Sequence, residues 1–173
     1  MDDRPTIGTV TGNQLLNWSV DRVAPTEPDA LRALFRYYDE IGSRYYGRPL
    51  EPGEVEQIMT DFPSDDLTPP TGTFLLARLD GEVAGCVGVR VYSPEIAELT
   101  RMFVDGAHRG SGGAGVLLRA AEDAAREFGA KSMWLNTRDD LVEARALYAR
   151  HGYRPIPPYG DDPYAEHWFG KEL

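Results

Sequence analysis

The run Arg109-Gly110-Ser111-Gly112-Gly113-Ala114-Gly115 leads straight into Val116-Leu117-Leu118-Arg119-Ala120-Ala121-Glu122. A glycine-rich turn thus opens into an alanine- and leucine-rich helix, and the apolar segment Glu98-Leu99-Thr100-Arg101-Met102-Phe103-Val104 before it reads as a strand. Strand, glycine turn and helix N-terminus together hold phosphate. Free backbone N–H groups converge, the helix dipole adds positive potential, and glycine lets the anion come close. A flexible loop that merely precedes a helix is the plainer alternative. Spacing excludes the two commonest phosphate loops. A nucleoside-triphosphate loop needs Lys-Ser or Lys-Thr after its last glycine, and neither follows here. Gly110, Gly112 and Gly115 do fit Gly-x-Gly-x-x-Gly, but that dinucleotide string belongs after the first strand of a βαβ unit. Here it comes after several strands.

The loop more closely resembles the acyl-coenzyme A pyrophosphate loop of the GNAT acetyltransferase superfamily, Gln/Arg-x-x-Gly-x-Gly/Ala. Arg109, Gly112 and Ala114 fill that pattern, and Leu117-Leu118 match the paired leucines of the family's helix. Ala97–Val104 is similar to the family's central strand. Ala144-Arg145-Ala146-Leu147-Tyr148-Ala149-Arg150-His151-Gly152-Tyr153 is similar to its second signature, an alanine-rich helix ending in Leu-Tyr and closed by Gly-aromatic. The three motifs come in the family's order and cover residues 74–154, about half the chain. The resemblance implies acetyl-coenzyme A as co-substrate, with its phosphates on Arg109, Gly110, Ser111, Gly112, Gly113, Ala114 and Gly115. It also implies that the backbone of Met102, Phe103 and Val104 pairs with the pantetheine arm like an extra strand. The implied activity is direct transfer of an acetyl group to the amine of a small molecule or amino-acid-like acceptor. The alternative is a non-catalytic acyl-coenzyme A-binding or regulatory module of the same fold.

Attack of an amine on a thioester makes three demands. The amine must lose a proton that alkyl ammonium groups hold to about pH 10.4. The developing oxyanion needs a donor, and the departing thiolate benefits from a proton. Tyr148, at the family's Leu-Tyr position, is the candidate proton donor and also a cofactor contact; its other reading is a ring that packs the helix onto the sheet. Glu98 is the candidate base and acceptor contact. Strand alternation puts Glu98, Thr100, Met102 and Val104 on one face and Leu99, Arg101 and Phe103 on the other. A carboxylate inside an apolar sheet is costly unless it faces a cleft or a partner. The alternative for Glu98 is a structural pair with Arg101 or a helix arginine.

Two positions depart from the family pattern. The asparagine that often precedes the second signature is Leu141 here, so Asn136 or nearby Asp140 is the substitute cofactor contact. Gly113 replaces a branched apolar residue in the loop, and extra glycine disfavours helix by up to about 1 kcal/mol, so a late helix start is expected. The acceptor site is the least legible part. Tyr38 and Tyr45 in the first helix and Trp168 in the tail are candidate pocket walls, or equally core and a sheet-edge or homodimer contact. Asp161, Asp162, Glu166 and His167 add charge suited to a cation. No identified residue offers a counter-charge to an acidic acceptor. Cys86 lacks an activating neighbour and reads as a buried inert thiol.

These residues require a particular set of elements. Trp18–Val23 alternates as a strand. A helix follows Pro28 with the stripe Leu31, Leu34, Tyr38, Ile41 and Tyr45, interrupted near Gly42 and ended by Gly47-Arg48-Pro49. Glu54–Met59 is a shorter helical piece, and 62–70 is a proline-rich loop. Thr73–Leu79, Asp80-Gly81 and Glu82–Val91 form a hairpin with a primed turn. Strand Ala97–Val104, the loop helix ending at Gly129, strand Lys131–Thr137, a helix through Tyr148 and two short tail strands complete the order. The expected fold is α/β: one domain over 15–173 with a mixed, mostly antiparallel sheet of six to seven strands and helices on both faces. Residues 1–14 lack periodicity and are expected to be a flexible N-terminus.

Composition narrows the function classes. A chain of 173 residues can bury one sizeable core. Its net charge of −10 is opposite to that of a nucleic-acid binder and favours amine-bearing partners. One cysteine forbids an internal disulfide and fits a reducing cytoplasm. His108, His151 and His167 have no metal-ligand spacing, so no metal is expected. No apolar run or signal peptide points to a membrane.

Overall fold

The computed structural model describes residues 6–11 and 14–173. Its strands are β1 (Thr6–Thr11), β2 (Gln14–Val23), β3 (Gly72–Leu79), β4 (Glu82–Ser93), β5 (Ile96–Val104), β6 (Ser132–Thr137), β7 (Arg154–Pro155) and β8 (His167–Glu172). They form one sheet in the order β1-β2-β3-β4-β5-β6-β8-β7. Seven strands have six or more residues, and β7 has two. Every pairing is antiparallel except β5 with β6. That parallel pair needs a crossover, which α3 (Gly113–Glu127) supplies. The other helices are α1 (Pro28–Tyr46), α2 (Pro52–Asp61) and α4 (Val142–Arg150). No helix among the described residues is long and apolar enough to cross a membrane.

The sheet has a hydrophobic core on each face. On one side α3 packs Val116, Leu117, Leu118, Ala121 and Ala124 against Leu75, Ala77, Val87, Val89 and Leu99. On the other, Ala30, Ala33, Leu34 and Tyr38 of α1 and Val55 of α2 meet Phe74, Leu76 and Cys86. Successive β3 residues therefore serve opposite cores, which explains a strand apolar throughout. Asp80 and Gly81 both have positive φ, 50° and 86°, as the expected primed turn requires.

Four local expectations are corrected. Residues 1–5 and 12–13 of the expected flexible N-terminus lie outside the described residues, but Thr6–Thr11 forms β1 against β2. The α1 stripe is shifted: Leu31 is 43% exposed, while Ala30 and Ala33 are buried. Gly42 does not interrupt α1, which runs to Tyr46. A side chain there would meet Leu50 at 2.6 Å, so glycine serves the close approach of the segment leading to α2. Finally, α3 starts at Gly113 itself, with Val116 N–H bonded to the Gly112 carbonyl at 3.2 Å.

Tertiary packing explains that last case. A Cβ on Gly113 would lie 2.4 Å from the Trp18 ring. Trp18 is fully buried, and its indole N–H donates to the Ser111 carbonyl at 2.9 Å. The indole occupies the space a branched loop residue would fill. Gly113→Val is therefore expected to destabilise by about 1–3 kcal/mol through overpacking, seen as a melting temperature several degrees lower. Gly53→Ala, on an α2 position that meets nothing within 4 Å, should not lower it.

Candidate active site

The site begins where two strands part. β5 and β6 pair only through Ile96–Glu98 with Ser132–Trp134, and beyond Glu98 they separate. The β6-facing backbone edge of Leu99–Val104 is thereby left open, the kind of edge that accepts an extended ligand as an added strand. The expected role of Met102, Phe103 and Val104 requires such an edge.

β5 also carries a bulge. Cys86 pairs with Phe103, but Gly88 pairs with Thr100, so β5 has one residue more than β4 between these pairs. Arg101 has φ +52°, rare for a residue with a side chain. The extra residue breaks the expected alternation. Leu99 joins the α3-side core and Phe103 the α1-side core, while Met102 and Val104 pack toward α3. Strict alternation placed Leu99 with Phe103 and grouped Glu98 with Met102 and Val104; neither grouping survives the bulge.

A cleft of about 860 Å³ follows this fork. It is lined by Tyr38, Tyr45, Glu98, Met102, Phe103, Val104, Arg109, Ala114, Asn136 and Tyr148 among the residues singled out from sequence. Tyr148 is buried, and burial pushes its phenol pKa upward, so the hydroxyl stays protonated at neutral pH. No hydrogen bond from that hydroxyl is found among the described residues. Its ring packs edge-on to Tyr153 at 5.8 Å, so it both packs the helix and faces the cleft.

Glu98 pairs with neither Arg101 nor a helix arginine. Its partner is Arg90, directly across the β4–β5 ladder, at 2.8 Å. Arg90 also pairs with Asp66. The Tyr159 hydroxyl is buried beside Glu98 and Asn136, close enough to interact with both, though no well-formed hydrogen bond is found among the described residues. Burial first, then the neighbouring Glu98 carboxylate, pushes its pKa upward, and nearby Asn136 opposes this. Trp168 does not line the cleft; its indole donates to the Tyr159 carbonyl at 3.2 Å and so holds that tyrosine in place. Glu166 and His167 face Asp139 instead of the cleft.

The glycine loop has the backbone geometry of an anion site. Gly110 and Gly112 have φ of 79° and 82°, and Trp18 fastens the loop from below. Among the described residues, the N–H groups of Ser111, Gly112, Gly113, Ala114 and Gly115 have no acceptor. They converge at the start of α3, where the helix dipole is positive. Arg109 is less free than expected: it pairs with Glu40, and its Nε donates to the Val104 carbonyl at 3.2 Å. It ties the loop to α1 and to the end of β5. Cys86 is buried, its thiol donates to the Arg101 carbonyl at 3.4 Å, and burial pushes its pKa up to about 12.

Sequence reasoning gave no site role to Arg101 or Arg138, and Tyr37 entered only as part of the Tyr37-Tyr38 pair that could shape a pocket. Arg138 covers the Tyr45 ring at 5.4 Å, and Tyr45 itself is 52% exposed at the cleft mouth. Tyr37 stacks edge-on to both Tyr38 and Phe103. Only a double-tyrosine signal at 37–38 was visible in the sequence. Nothing there marked the bulge.

The family profile described as "Acetyltransferase (GNAT) family" matches residues 32–153. The chain belongs to that family and is an N-acetyltransferase. It is 32% identical over 151 residues to the IAA acetyltransferase of Azospirillum brasilense, covering 85% of this chain and 93% of that protein. It is 34% identical over 128 residues to the N-acetylaspartate synthetase of Homo sapiens, covering 73% of this chain but 41% of that longer protein. Among solved structures, the PaiA N-acetyltransferase of Thermoplasma acidophilum in complex with coenzyme A shares the fold. It superposes with a TM-score of 0.67 at 16% identity, over 90% of this chain and 99% of that one. A GNAT acetyltransferase of Elizabethkingia anophelis with acetyl-coenzyme A bound gives 0.61 at 17% identity, over 90% and 98%.

Coenzyme A is expected to raise the melting temperature, since a ligand at 100 times its dissociation constant adds about 2.7 kcal/mol. Gly112→Asp puts a negative side chain into the loop and should abolish that shift. Protection by ATP or NAD but not by coenzyme A would contradict the assignment of the loop.

Proposed function

We propose that the protein transfers the acetyl group of acetyl-coenzyme A directly to the amine of a small, amino-acid-like acceptor held in the cleft. The observation that carries this reading is convergence: Tyr148, Glu98, the open edge of β5 and the head of α3 border one cavity. Residues 110–115 bind the pyrophosphate, and the edge of Met102–Val104 aligns the pantetheine arm. One of those backbone N–H groups polarises the thioester carbonyl. The acceptor amine attacks the carbonyl carbon, and the carbon–sulfur bond breaks. Glu98, directly or through a water, takes the amine's proton. The Tyr148 hydroxyl, kept protonated by burial, gives the departing sulfur its hydrogen. Direct transfer is favoured because the one cysteine of the chain is buried and its thiol held protonated. A relative named for N-acetylaspartate puts an amino-acid acceptor within the family's range. The lone buried thiol also suits a reducing cytoplasm.

Tyr148→Phe keeps the ring and removes the donor, so turnover should fall by about 10²–10⁴-fold with coenzyme A affinity nearly intact. Unchanged single-turnover rates would return Tyr148 to a packing role. For Glu98, the pH profile is the decisive measurement. Activity should rise with pH toward the amine's own pKa, and Glu98→Gln should lose most at low pH, where the free amine is rarest. A partial recovery at high pH is expected; a wild-type profile would remove Glu98 from the mechanism.

A further inference from the structure

Arg101 is 8% exposed and lines the cleft. Arginine is almost never buried so deeply without a counter-charge. Yet its guanidinium meets only neutral oxygens among the described residues. Nε donates to Ser64 Oγ at 2.9 Å, Nη1 to Thr100 Oγ1 at 2.8 Å, and Nη2 to the carbonyls of Phe62 and Pro63, both at 3.3 Å. The Tyr38 ring covers it at 5.8 Å. Four of the five N–H donors of a guanidinium are taken up by these oxygens, and the neutral Tyr38 hydroxyl also lies within reach. The other arginines of this cleft differ. Arg44, Arg90, Arg109 and Arg138 each meet a carboxylate, and Arg150 is exposed.

The bulge decides where this charge points. It gives Arg101 a positive φ and turns its side chain toward the 62–66 loop. The partner of Glu98, Arg90, is held by Asp66 of the same loop. One end of the cleft therefore presents a carboxylate at Glu98 and an uncompensated cation at Arg101, three residues apart on one strand. A ligand with an amine at one end and an anion at the other matches that pair.

We propose that the acceptor carries a carboxylate, and that Arg101 binds it while the amine lies toward Glu98. This rests on the acyl-transfer reading above and narrows its substrate class. It also supplies the counter-charge to an acidic acceptor that the sequence did not reveal.

The test compares amino acids with their decarboxylated amines, for instance phenylalanine with phenethylamine and leucine with isoamylamine, each pair differing by the α-carboxylate alone. Thiol release from acetyl-coenzyme A by the wild-type enzyme gives kcat/KM for each. Loss of a charge-assisted hydrogen bond predicts a preference of roughly 10- to 100-fold for the carboxylate-bearing member of at least one pair. Arg101→Met should collapse that ratio toward one, with the loss mainly in KM; Arg101→Lys should keep part of it. A strap that merely ties the loop to β5 would alter stability and leave the ratio unmoved. The wild-type comparison stands even where Arg101→Met fails to fold. Equal or better use of the amines, or an unchanged ratio in a folded Arg101→Met enzyme, overturns the inference and leaves acyl transfer in place. Protection by coenzyme A against melting without thiol release in the presence of any of these acceptors overturns the inference alone. Absence of both sinks the acyl-transfer reading and the inference with it.

Discussion

The structure depends on backbone hydrogen bonding that stops partway along one strand. β5 is laddered to β4 along most of its length, with a bulge at Arg101, and only briefly to β6, so beyond Glu98 its far edge has no neighbouring strand and faces a cavity. Leaving that edge buried but unpaired is unfavourable, and a bound extended chain removes the penalty. The crossover through α3 makes the fork reachable. It carries the glycine loop from the end of β5 to the head of a helix, where five N–H groups have no acceptor among the described residues. Strand edge and helix terminus are two unsatisfied backbone surfaces of one chain, and they lie next to each other.

The bulge at Arg101 complements the fork. A residue with a side chain at positive φ costs of order 1–3 kcal/mol and persists only where its surroundings hold it. Here four hydrogen bonds from the guanidinium, to Thr100 and to residues 62–64, and the Tyr38 ring do so. The strand thereby changes the facing of its residues midway. Glu98 can face Arg90 and the cleft while Met102 and Val104 pack toward α3. One inserted residue separates the facing of Glu98 from that of Met102 and Val104 on a single strand.

Electrostatics at the site is a matter of pairing more than of net charge. The chain is acidic overall, but most charged groups in the cleft are tied to opposite partners that fix geometry. Arg109 holds the loop to α1, Arg90 holds Glu98 to the 62–66 loop, and Arg138 pairs with Asp140 over the mouth. Against that neutralised background the Tyr148 hydroxyl stands out as a cleft-facing group with no hydrogen-bond partner among the described residues.

The sequence by itself determined the secondary structure order from β2 onward, the hairpin turn, the glycine turn that opens into α3 and the candidates Tyr148 and Glu98. Each of these is written in local terms: the periodicity of apolar residues, Asp80-Gly81, clustered glycines, a Leu-Tyr helix end. What only the tertiary structure decided depends on contacts between distant residues. Gly113 looked like a defect of the loop until Trp18, 95 positions earlier, proved to occupy its side-chain space. Trp168 looked like a pocket wall and instead anchors Tyr159. Arg101 carried no signal, because a bulge without glycine leaves no local mark and a missing counter-charge is visible only once every neighbour is in place. Local periodicity is encoded residue by residue; registers, forks and unpaired charges are properties of the packed whole.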